Sequence, residues 1–347
     1  MRYALLISAL SMVLACHPAS AQSPAAQSPA TLVSPTLEAA KARGHVLCGV
    51  NEGLTGFAAR DATGEWQGFE ADICRAVAAA TLGRGEAVRY VPLDTNNRFS
   101  ALQAGKVDIL ARNTTWTMER QVKFGFEFVG ISFFDGQGFM IRADRGVVSA
   151  LQLAGMRICV VAGTTSEANL NIYLQQQGVP FTALPLATHQ LNIEAYRAGK
   201  CDVYSADYST LFSLRTTLDQ PTDHAILPEL ISKEPIGLAV REDDRAWGEI
   251  VRWTLNGLIN AEEFGLTRAI AINGAVSGDA ARLMEGSDVS GVRLGLKRGW
   301  LGAAVAAVGN YAELFDRTIG DAGPLGMKRG LNALWRNGGI LYAPPMW

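Results

Sequence analysis

The 347-residue sequence has little of several features that mark metal-dependent, nucleic-acid-binding or common catalytic proteins. It holds four histidines, five cysteines and no Cys-x-x-Cys pair, which disfavours a metal site. Lys and Arg (31) do not outnumber Asp and Glu (33), and they form no basic stripe, which disfavours a nucleic-acid partner. The motifs G-x-S-x-G, H-E-x-x-H and the P-loop are absent, so the enzyme classes that need them are disfavoured. We therefore expect no metal, cofactor or nucleic acid.

The chain begins with the features of an exported protein. A basic start, an apolar run over residues 4–15 and the small-x-small sequence Ala19-Ser20-Ala21 predict a signal peptide over residues 1–21, cleaved near Ala21. The apolar run is too short to span a bilayer. Lipid attachment at Cys16 is the weaker alternative. Residues 22–36, rich in Gln, Ser, Pro and Ala, predict a disordered leader, and the remaining length suits two domains.

Export places the other four cysteines in an oxidising compartment, where an even number predicts disulfides. Three pairings are possible. Cys48 lies on the first predicted strand and Cys74 on the helix that follows, whereas Cys159 and Cys201 lie on predicted strands further along. We favour Cys48–Cys74 and Cys159–Cys201, because each half of the chain then carries its own disulfide.

A polar segment, NTTWTMER at residues 113–120, follows a short apolar strand at residues 107–110. Ligands collect where the strands of an open α/β sheet end. This end offers hydroxyls, backbone N–H groups and the guanidinium of Arg120, which can hold two carboxylate oxygens at once. The segment therefore predicts a carboxylate-binding loop, with a plain strand-to-helix loop as the alternative.

A second copy of this arrangement lies 94 residues further on. Residues 102–108 (LQAGKVD) match residues 196–202 (YRAGKCD), and Asn113 and Asp207 each stand five residues beyond the aspartate of their copy. Such a repeat predicts two lobes of similar topology that face a shared cleft. Arg120 from one lobe and Asp207 from the other would then hold the carboxylate and the ammonium of an α-amino acid.

The rest of the chain alternates predicted strands and helices, which indicates two α/β lobes. Strands are expected at residues 46–50, 90–93 and 157–161. Helices are expected at residues 69–82, from an Asn97 cap to residue 105, from a Thr164 and Glu167 capping box to residue 176, and at residues 209–218. Gly-containing segments at residues 135–141 and 232–238 predict two crossovers. We assign residues 37–137 to lobe 1, residues 138–236 to lobe 2, and residues 237–347 to a return into lobe 1 plus a C-terminal helical extension.

Several of these segments resemble the periplasmic solute-binding proteins of polar amino acid ABC transporters. They are RFSALQAGKVDILARNTTWTMER, FFDGQGFM, VVAGTTSEANL, AGKCDVYSAD and ISKEPIGLAVR, and the endings GNYAELFDRTIG and RGLNALWRNGGILYAPP resemble the general L-amino acid-binding branch. The resemblance implies a type II periplasmic binding protein fold, whose lobes close on a free L-amino acid. It also implies a periplasmic monomer that delivers its ligand to a membrane permease and uses no cofactor.

The resemblance further implies roles for individual residues. Arg120 resembles the arginine that pairs with the ligand α-carboxylate, and Thr115 with the backbone near Asn113 resembles the donors beside it. Thr165 resembles the donor from the opposite lobe. Asp207 resembles the acid that binds the α-ammonium.

Contacts with the ligand side chain are expected from three more positions. Leu54 stands where many members of the family have an aromatic residue, which agrees with broad specificity because no clamp for one side-chain shape is apparent. Asn51 and Trp116 are the other two candidates.

Two rival functions remain open at this level. A cyclohexadienyl or arogenate dehydratase uses the same fold, and Asp207 or Glu167 would be its general acid. A ligand-sensing receptor module is the other rival. Turnover of prephenate or arogenate would favour the enzyme, and finding the protein free in a periplasmic extract would argue against the receptor module.

Overall fold

The structure, a computed structural model, describes residues 32–347. The predicted signal peptide and residues 22–31 of the predicted leader lie outside the described residues. At its other end the leader prediction extends too far, because the first helix begins at Pro35. The Oγ of Ser34 accepts a hydrogen bond from the Leu37 N–H at 3.0 Å, and proline at the first helical position suits this start.

The strands form two five-stranded sheets, which confirms the prediction of two α/β lobes. They are β1 (Val46–Asn51), β2 (Ala59–Arg60), β3 (Trp66–Gln67), β4 (Val88–Leu93), β5 (Ile109–Leu110), β6 (Phe126–Asp135), β7 (Gln137–Arg142), β8 (Arg157–Val161), β9 (Thr182–Leu186), β10 (Val203–Asp207), β11 (His224–Ile226) and β12 (Glu234–Arg241). Lobe 1 contains the sheet β4-β1-β5-β12-β6, and lobe 2 contains the sheet β11-β7-β10-β8-β9, while β2 and β3 pair separately.

The helices pack against these sheets. They are α1 (Pro35–Arg43), α2 (Phe69–Leu82), α3 (Arg98–Gln103), α4 (Met118–Phe124), α5 (Thr165–Gln176), α6 (His189–Arg197), α7 (Tyr208–Arg215), α8 (Arg245–Glu263), α9 (Arg268–Asn273), α10 (Gly278–Gly291), α11 (Trp300–Val308) and α12 (Tyr311–Thr318). Helices α2 and α5 match their predicted bounds, whereas α3 and α7 end two and three residues before the predicted ends. Asn97 stands at the predicted N-cap position of α3, but its side chain makes no capping hydrogen bond. Its Nδ2 donates to the Asp94 carboxylate at 3.0 Å.

Two crossovers join the lobes. The chain changes sheet at Gly136, between β6 and β7, and returns between β11 and β12. The crossovers run close together, since a Cβ placed on Gly136 would lie 3.0 Å from the Ser232 carbonyl oxygen. Antiparallel pairing of β6 with β12 sets Asp135 opposite Glu234. Both crossovers therefore bring a carboxyl group to the junction of the lobes.

The sequence repeat has a structural basis in two equivalent aspartates. The Asp108 carboxylate accepts the Leu47 N–H at 2.8 Å, and the Asp108 N–H donates to the Leu47 carbonyl. Asp202 makes the same two bonds with Arg157, the carboxylate distance being 3.1 Å. Asp108 thus fixes β5 to β1, and Asp202 fixes β10 to β8, so the loops beyond β5 and β10 face the cleft from both sides.

Each lobe carries one disulfide, as predicted. Cys48–Cys74 joins β1 to α2 with a Cα separation of 6.3 Å. Cys159–Cys201 joins β8 to the residues before β10 with a Cα separation of 5.7 Å. Neither bond crosses between the lobes, so neither restrains their relative motion.

The C-terminal helices pack on lobe 1, as predicted. Helices α11 and α12 lie against α2 and α8, and the Tyr311 hydroxyl donates to the Ser132 carbonyl of β6 at 2.8 Å. At the N-terminus of α8, the Asp244 carboxylate accepts hydrogen bonds from the Trp247 N–H and from the Ser34 hydroxyl, which ties α8 to the start of α1. Within residues 32–347, no helix combines the length and the apolar character needed to cross a bilayer.

Candidate functional site

A cavity between the lobes brings together five of the eight predicted ligand residues. Asn113, Thr115 and Arg120 line it from lobe 1, and Thr165 and Asp207 line it from lobe 2. The hydroxyl oxygens of Thr115 and Thr165 lie 3.5 Å apart, so the lobes touch here. The cavity volume is about 20 Å³, which has room for about one water molecule. This conformation is closed, and an amino acid enters only when the lobes separate further.

Arg120 is held in place by the first turn of α4. Thr117 caps this helix by accepting the Arg120 N–H at 3.1 Å, and the guanidinium donates to the Thr115 carbonyl at 2.8 Å. Among the described residues, no carboxylate lies within 4.0 Å of the guanidinium. Burial lowers the pKa of Arg120 and nearby acids oppose that shift, but a guanidinium stays charged in proteins. The site therefore presents a buried cation suited to a ligand carboxylate.

Asp207 ends β10 and stands directly before α7. Its side chain makes no capping hydrogen bond to that helix, although an aspartate at this position is a common helix cap. Burial raises the pKa of Asp207 well above its usual range, the charges of Glu234 and Asp135 add to the shift, and Arg120 opposes it. A ligand ammonium would favour the ionised carboxylate and lower this pKa again.

Glu234 lies at the site but is not among the residues predicted from the sequence. Its carboxylate, almost fully buried at the start of β12, accepts four hydrogen bonds. The donors are Thr115 (2.6 Å), Thr165 (3.1 Å), Asn169 (2.8 Å) and Ser232 (2.7 Å). Since Thr115 belongs to lobe 1 and Thr165 and Asn169 to lobe 2, one carboxylate connects the two lobes. The only sequence signal is an acid that opens an otherwise apolar strand.

These bonds engage the two threonines that the resemblance expects to donate to the ligand. Both hydroxyl groups donate to the Glu234 carboxylate here. A hydroxyl group that already donates its single proton can accept further hydrogen bonds but cannot donate another. In this arrangement the two oxygens suit the N–H groups of a ligand ammonium better than its carboxylate.

The backbone donor expected near Asn113 is also engaged elsewhere. The Asn113 N–H donates to Glu70 at 2.6 Å, and the residue has a φ of 35°, a left-handed conformation that Asn tolerates. Burial raises the pKa of Glu70 to about 7, opposed by this N–H and by the Arg112 charge. Glu70 therefore sets the shape of the Asn113 loop.

Two further arginines line the cavity, and the sequence analysis did not single them out. Arg112 donates to the Leu93 carbonyl (2.9 Å) and to the Thr95 hydroxyl (3.2 Å). Arg98 is 4% exposed, and its Nε has no hydrogen-bond partner within residues 32–347. Burial lowers the pKa of both groups, and both stay charged. Isolated arginines look like surface residues in a sequence, so no local signal marks these two.

His189, the first residue of α6, faces the arginines from lobe 2. One ring nitrogen lies 2.7 Å from the Tyr204 hydroxyl. Burial, together with the charges of Arg112 and Arg98, lowers the pKa of His189 to about 3, so the ring is neutral at neutral pH. The ionisable side chains that line the cavity are thus three arginines, one neutral histidine and one carboxyl group, and they favour an anionic ligand.

A second cavity of about 310 Å³ adjoins the first, and two more of the predicted residues, Asn51 and Leu54, line it. The two cavities share three lining residues, Thr95, Arg112 and His189.

The structure does not bring Trp116 to either cavity. Its ring stacks on Phe128 with centroids 5.4 Å apart, and its backbone N–H donates to the Pro235 carbonyl. Phe128 belongs to the core of lobe 1, so Trp116 anchors the loop at residues 113–117 to that core instead of lining a cavity.

Comparison with known proteins identifies a matching family and similar periplasmic or amino-acid-binding proteins. Residues 46–266 match the family "Bacterial extracellular solute-binding proteins, family 3". The general L-amino acid-binding periplasmic protein AapJ of Rhizobium johnstonii is 50% identical over 90% of this chain and 92% of its own length. The glutamate/glutamine/aspartate/asparagine-binding protein BztA of Rhodobacter capsulatus is 45% identical over 89% and 93%.

A solved structure is similar over nearly the same range. It is an ABC transporter periplasmic binding protein from Brucella ovis with glutathione bound, and it superimposes with a TM-score of 0.86 at 45% identity. The alignment covers 90% of this chain and 99% of that one.

Proposed function

Because the chain belongs to family 3 of the bacterial extracellular solute-binding proteins, we propose that it captures free L-amino acids between its lobes and delivers them to the membrane permease of an ABC transporter. The observation that carries this proposal is that Arg120 and Asp207 line one cavity from opposite lobes. A cation and an anion placed in this way match the carboxylate and the ammonium of an α-amino acid.

The mechanism is lobe closure. A ligand that touches both lobes binds the closed form better than the open form, and only that difference in affinity can shift the equilibrium. Closure also excludes water, which strengthens the charged hydrogen bonds. A micromolar ligand would gain about 8 kcal/mol in total. The permease would then recognise the closed form through surfaces on both lobes.

The ligand range is proposed to be broad, with a preference for side chains that carry a carboxylate or an amide. Broad binding is supported by the name of the Rhizobium johnstonii relative and by Leu54, which offers no aromatic clamp. The preference is supported by Arg98 and Arg112, which face only one carboxyl group across the cavity. The Rhodobacter capsulatus relative is named for ligands of this kind.

We also propose the organisation expected from the sequence. Lobe 1 comprises residues 37–137 and 237–347, and lobe 2 comprises residues 138–236. The strand orders support this division in outline, with β7 beginning at Gln137 in the lobe 2 sheet and β12 beginning at Glu234 in the lobe 1 sheet. The protein acts as a monomer in the periplasm after cleavage near Ala21, and the extracellular character of the family supports export. A lipid anchor at Cys16 is the weaker alternative.

An enzymatic function is disfavoured. The matching family and the similar proteins named above are solute-binding proteins, whereas the dehydratase hypothesis rested on the shared fold alone. Asp207 and Glu167 therefore need no role as a general acid.

A thermal-shift screen of the mature protein, unfolded and refolded to remove carried ligand, tests the proposal. The panel would contain the common L-amino acids, their D-forms, sugars, glutathione, prephenate and arogenate. A ligand at a hundred times its Kd should add about 2.7 kcal/mol of stability. Shifts with many L-amino acids support the proposal; a shift with a single ligand contradicts broad specificity, and none with any amino acid contradicts the proposed function.

A further inference from the structure

We propose that the C-terminal extension fixes the point about which the lobes turn, and that Asn332 is the positioning residue through which it does so. Asn332 holds Phe134, the last residue of the first crossover that moves with lobe 1. The inference rests on the lobe closure of the proposed function. It gives a role to a part of the chain that lies beyond the family match at residues 46–266.

The Asn332 side chain binds both backbone groups of Phe134 in β6. Its Oδ1 accepts the Phe134 N–H at 2.7 Å, and its Nδ2 donates to the Phe134 carbonyl at 3.0 Å. Phe134 stands opposite Pro235 of β12, and proline has no N–H with which to complete a hydrogen-bonded pair. Since β6 is also the edge strand of its sheet, the Asn332 amide serves Phe134 as a neighbouring strand would.

Asn332 is itself tied to the helices of lobe 1, and it is only 4% exposed. The Arg329 Nε donates to the Asn332 carbonyl at 2.9 Å. The same guanidinium donates to both carboxylate oxygens of Glu262 on α8, at 2.9 and 3.1 Å. It also lies over the Tyr311 ring of α12, 5.3 Å from the ring centroid. Asn332 therefore moves with lobe 1, and Phe134 moves with Asn332.

The next residue along the chain is held by the other lobe. The Asp135 carboxylate accepts the Ser209 hydroxyl at 2.5 Å and the Ser209 N–H at 3.3 Å. The Gly136 carbonyl accepts the Tyr208 N–H at 2.6 Å, and Tyr208 and Ser209 open α7 of lobe 2. Consecutive residues are thus bound to opposite lobes, so the pivot of the first crossover lies between Phe134 and Asp135.

The second crossover leaves more chain between its two anchors. On the lobe 1 side, the Pro235 carbonyl accepts the Trp116 N–H at 2.8 Å, and on the lobe 2 side, the Ile231 N–H donates to the Gln137 carbonyl at 2.9 Å. Residues 232–234 lie between these anchors. Hinges are a few residues that absorb the backbone rotation, so the shorter first crossover restricts the axis more tightly, and it does so through Asn332.

Losing the Asn332 amide would free Phe134 from lobe 1. The open form would then sample more orientations, and closure would have to remove the added freedom. Ordering the backbone of one residue changes an equilibrium constant by a factor of about five to thirty. The contacts of the ligand in the closed form stay the same, so every ligand should lose affinity by the same factor.

Calorimetry of the refolded, ligand-free protein with L-glutamate and L-glutamine tests the inference. We expect Asn332→Ala to bind both ligands at least about fivefold more weakly than the wild type, by a common factor. Asn337→Ala is the matched control, because Asn337 is an exposed residue with the same side chain in the same segment, and it should bind normally. Wild-type affinity in Asn332→Ala, or losses that differ severalfold between the two ligands, overturn the inference and leave the proposed function standing.

Amide hydrogen exchange, followed by NMR in the ligand-free wild type, tests the inference without a variant. The Phe134 amide should exchange as slowly as the amides in the middle of β6, because Asn332 holds it in the open and the closed form alike. Rapid exchange at Phe134 overturns the inference whatever the protein binds. A protein with a protected Phe134 amide that binds no amino acid overturns the proposed function instead.

Discussion

The Thr115 hydroxyl of lobe 1 donates to the Glu234 carboxylate over 2.6 Å. The same carboxylate, on the crossover strand β12, accepts a hydrogen bond from the Thr165 hydroxyl of lobe 2. One buried carboxylate thus links the two lobes. Hydrogen bonds to a charged group contribute about 1.5–3 kcal/mol each, so Glu234 should govern how far the ligand-free protein stays closed.

Replacing Glu234 by Ala should open the ligand-free protein, because Thr115 and Thr165 lose the acceptor that connects them. Small-angle X-ray scattering without ligand should give a larger radius of gyration for Glu234→Ala than for the wild type. Ser232→Ala is the matched control, since it removes one bond to the same carboxylate within the crossover itself. Equal radii for all three proteins would show that Glu234 is not what keeps the lobes together.

Replacing Arg120 by Ala should weaken binding of every amino acid alike, because the α-carboxylate is common to them all. Losing one partner of a buried charge pair costs about 2–5 kcal/mol, or at least ~30-fold in Kd. Lys123→Ala, on the exposed face of the same helix, should bind normally. Calorimetry measures both variants, and an Arg120→Ala protein with wild-type affinity would refute the site assignment.

Neutralising Glu70 should stabilise the protein increasingly as the pH rises from 4.5 to above 7. Its pKa is raised in the folded protein from about 4.5 to about 7, so its contribution to stability is present below pH 4.5 and is lost as the pH rises through 7. Glu70→Gln should therefore match the wild type near pH 4.5 and exceed it by up to about 3 kcal/mol at pH 8.

Urea unfolding at both pH values measures this difference, with Glu86→Gln on an exposed loop as the control that should change nothing. If Glu70→Gln lowered stability at pH 8, the buried carboxyl would be stabilising in its charged form, which is the opposite of what its raised pKa predicts.

Removing the lobe 2 disulfide through the double variant Cys159→Ser with Cys201→Ser should destabilise that lobe. The bond closes a loop of 42 residues, for which the chain-entropy model gives about 3–4 kcal/mol. Hydrogen exchange should rise in the lobe 2 sheet while the lobe 1 sheet keeps its protection, because the bond lies within one lobe. Faster exchange in both sheets to the same extent would contradict independent lobes.

The parts of the fold that the sequence predicted are those with local causes. Helix α2 is marked by its apolar spacing and by Gly83 at φ 77°, and the two lobes are marked by a repeat whose aspartates, Asp108 and Asp202, make equivalent bonds. The disulfides followed from export and from predicted elements.

The site could be predicted from the sequence only where a residue lies close in sequence to the residue that positions it. Arg120 stands next to its cap, Thr117, whereas the role of Glu234 depends on donors 119 and 69 residues away in sequence. Arg98 and His189 likewise reach the cavity through packing between lobes. No spacing in the chain encodes such contacts, so they appear only in the folded protein.

The measurement that tests the central claim most directly is a calorimetric comparison of L-glutamate with two analogues that each lack one head-group charge, its α-carboxamide and glutarate. The account predicts that each analogue loses at least ~30-fold in affinity for the wild type. In Arg120→Ala the α-carboxamide should bind as tightly as L-glutamate, and in Asp207→Asn glutarate should bind as tightly as L-glutamate. Each variant has already lost the side chain that contacts the missing ligand charge. Glutarate and the α-carboxamide binding as tightly as L-glutamate would show that Arg120 and Asp207 do not hold the two ends of an amino acid.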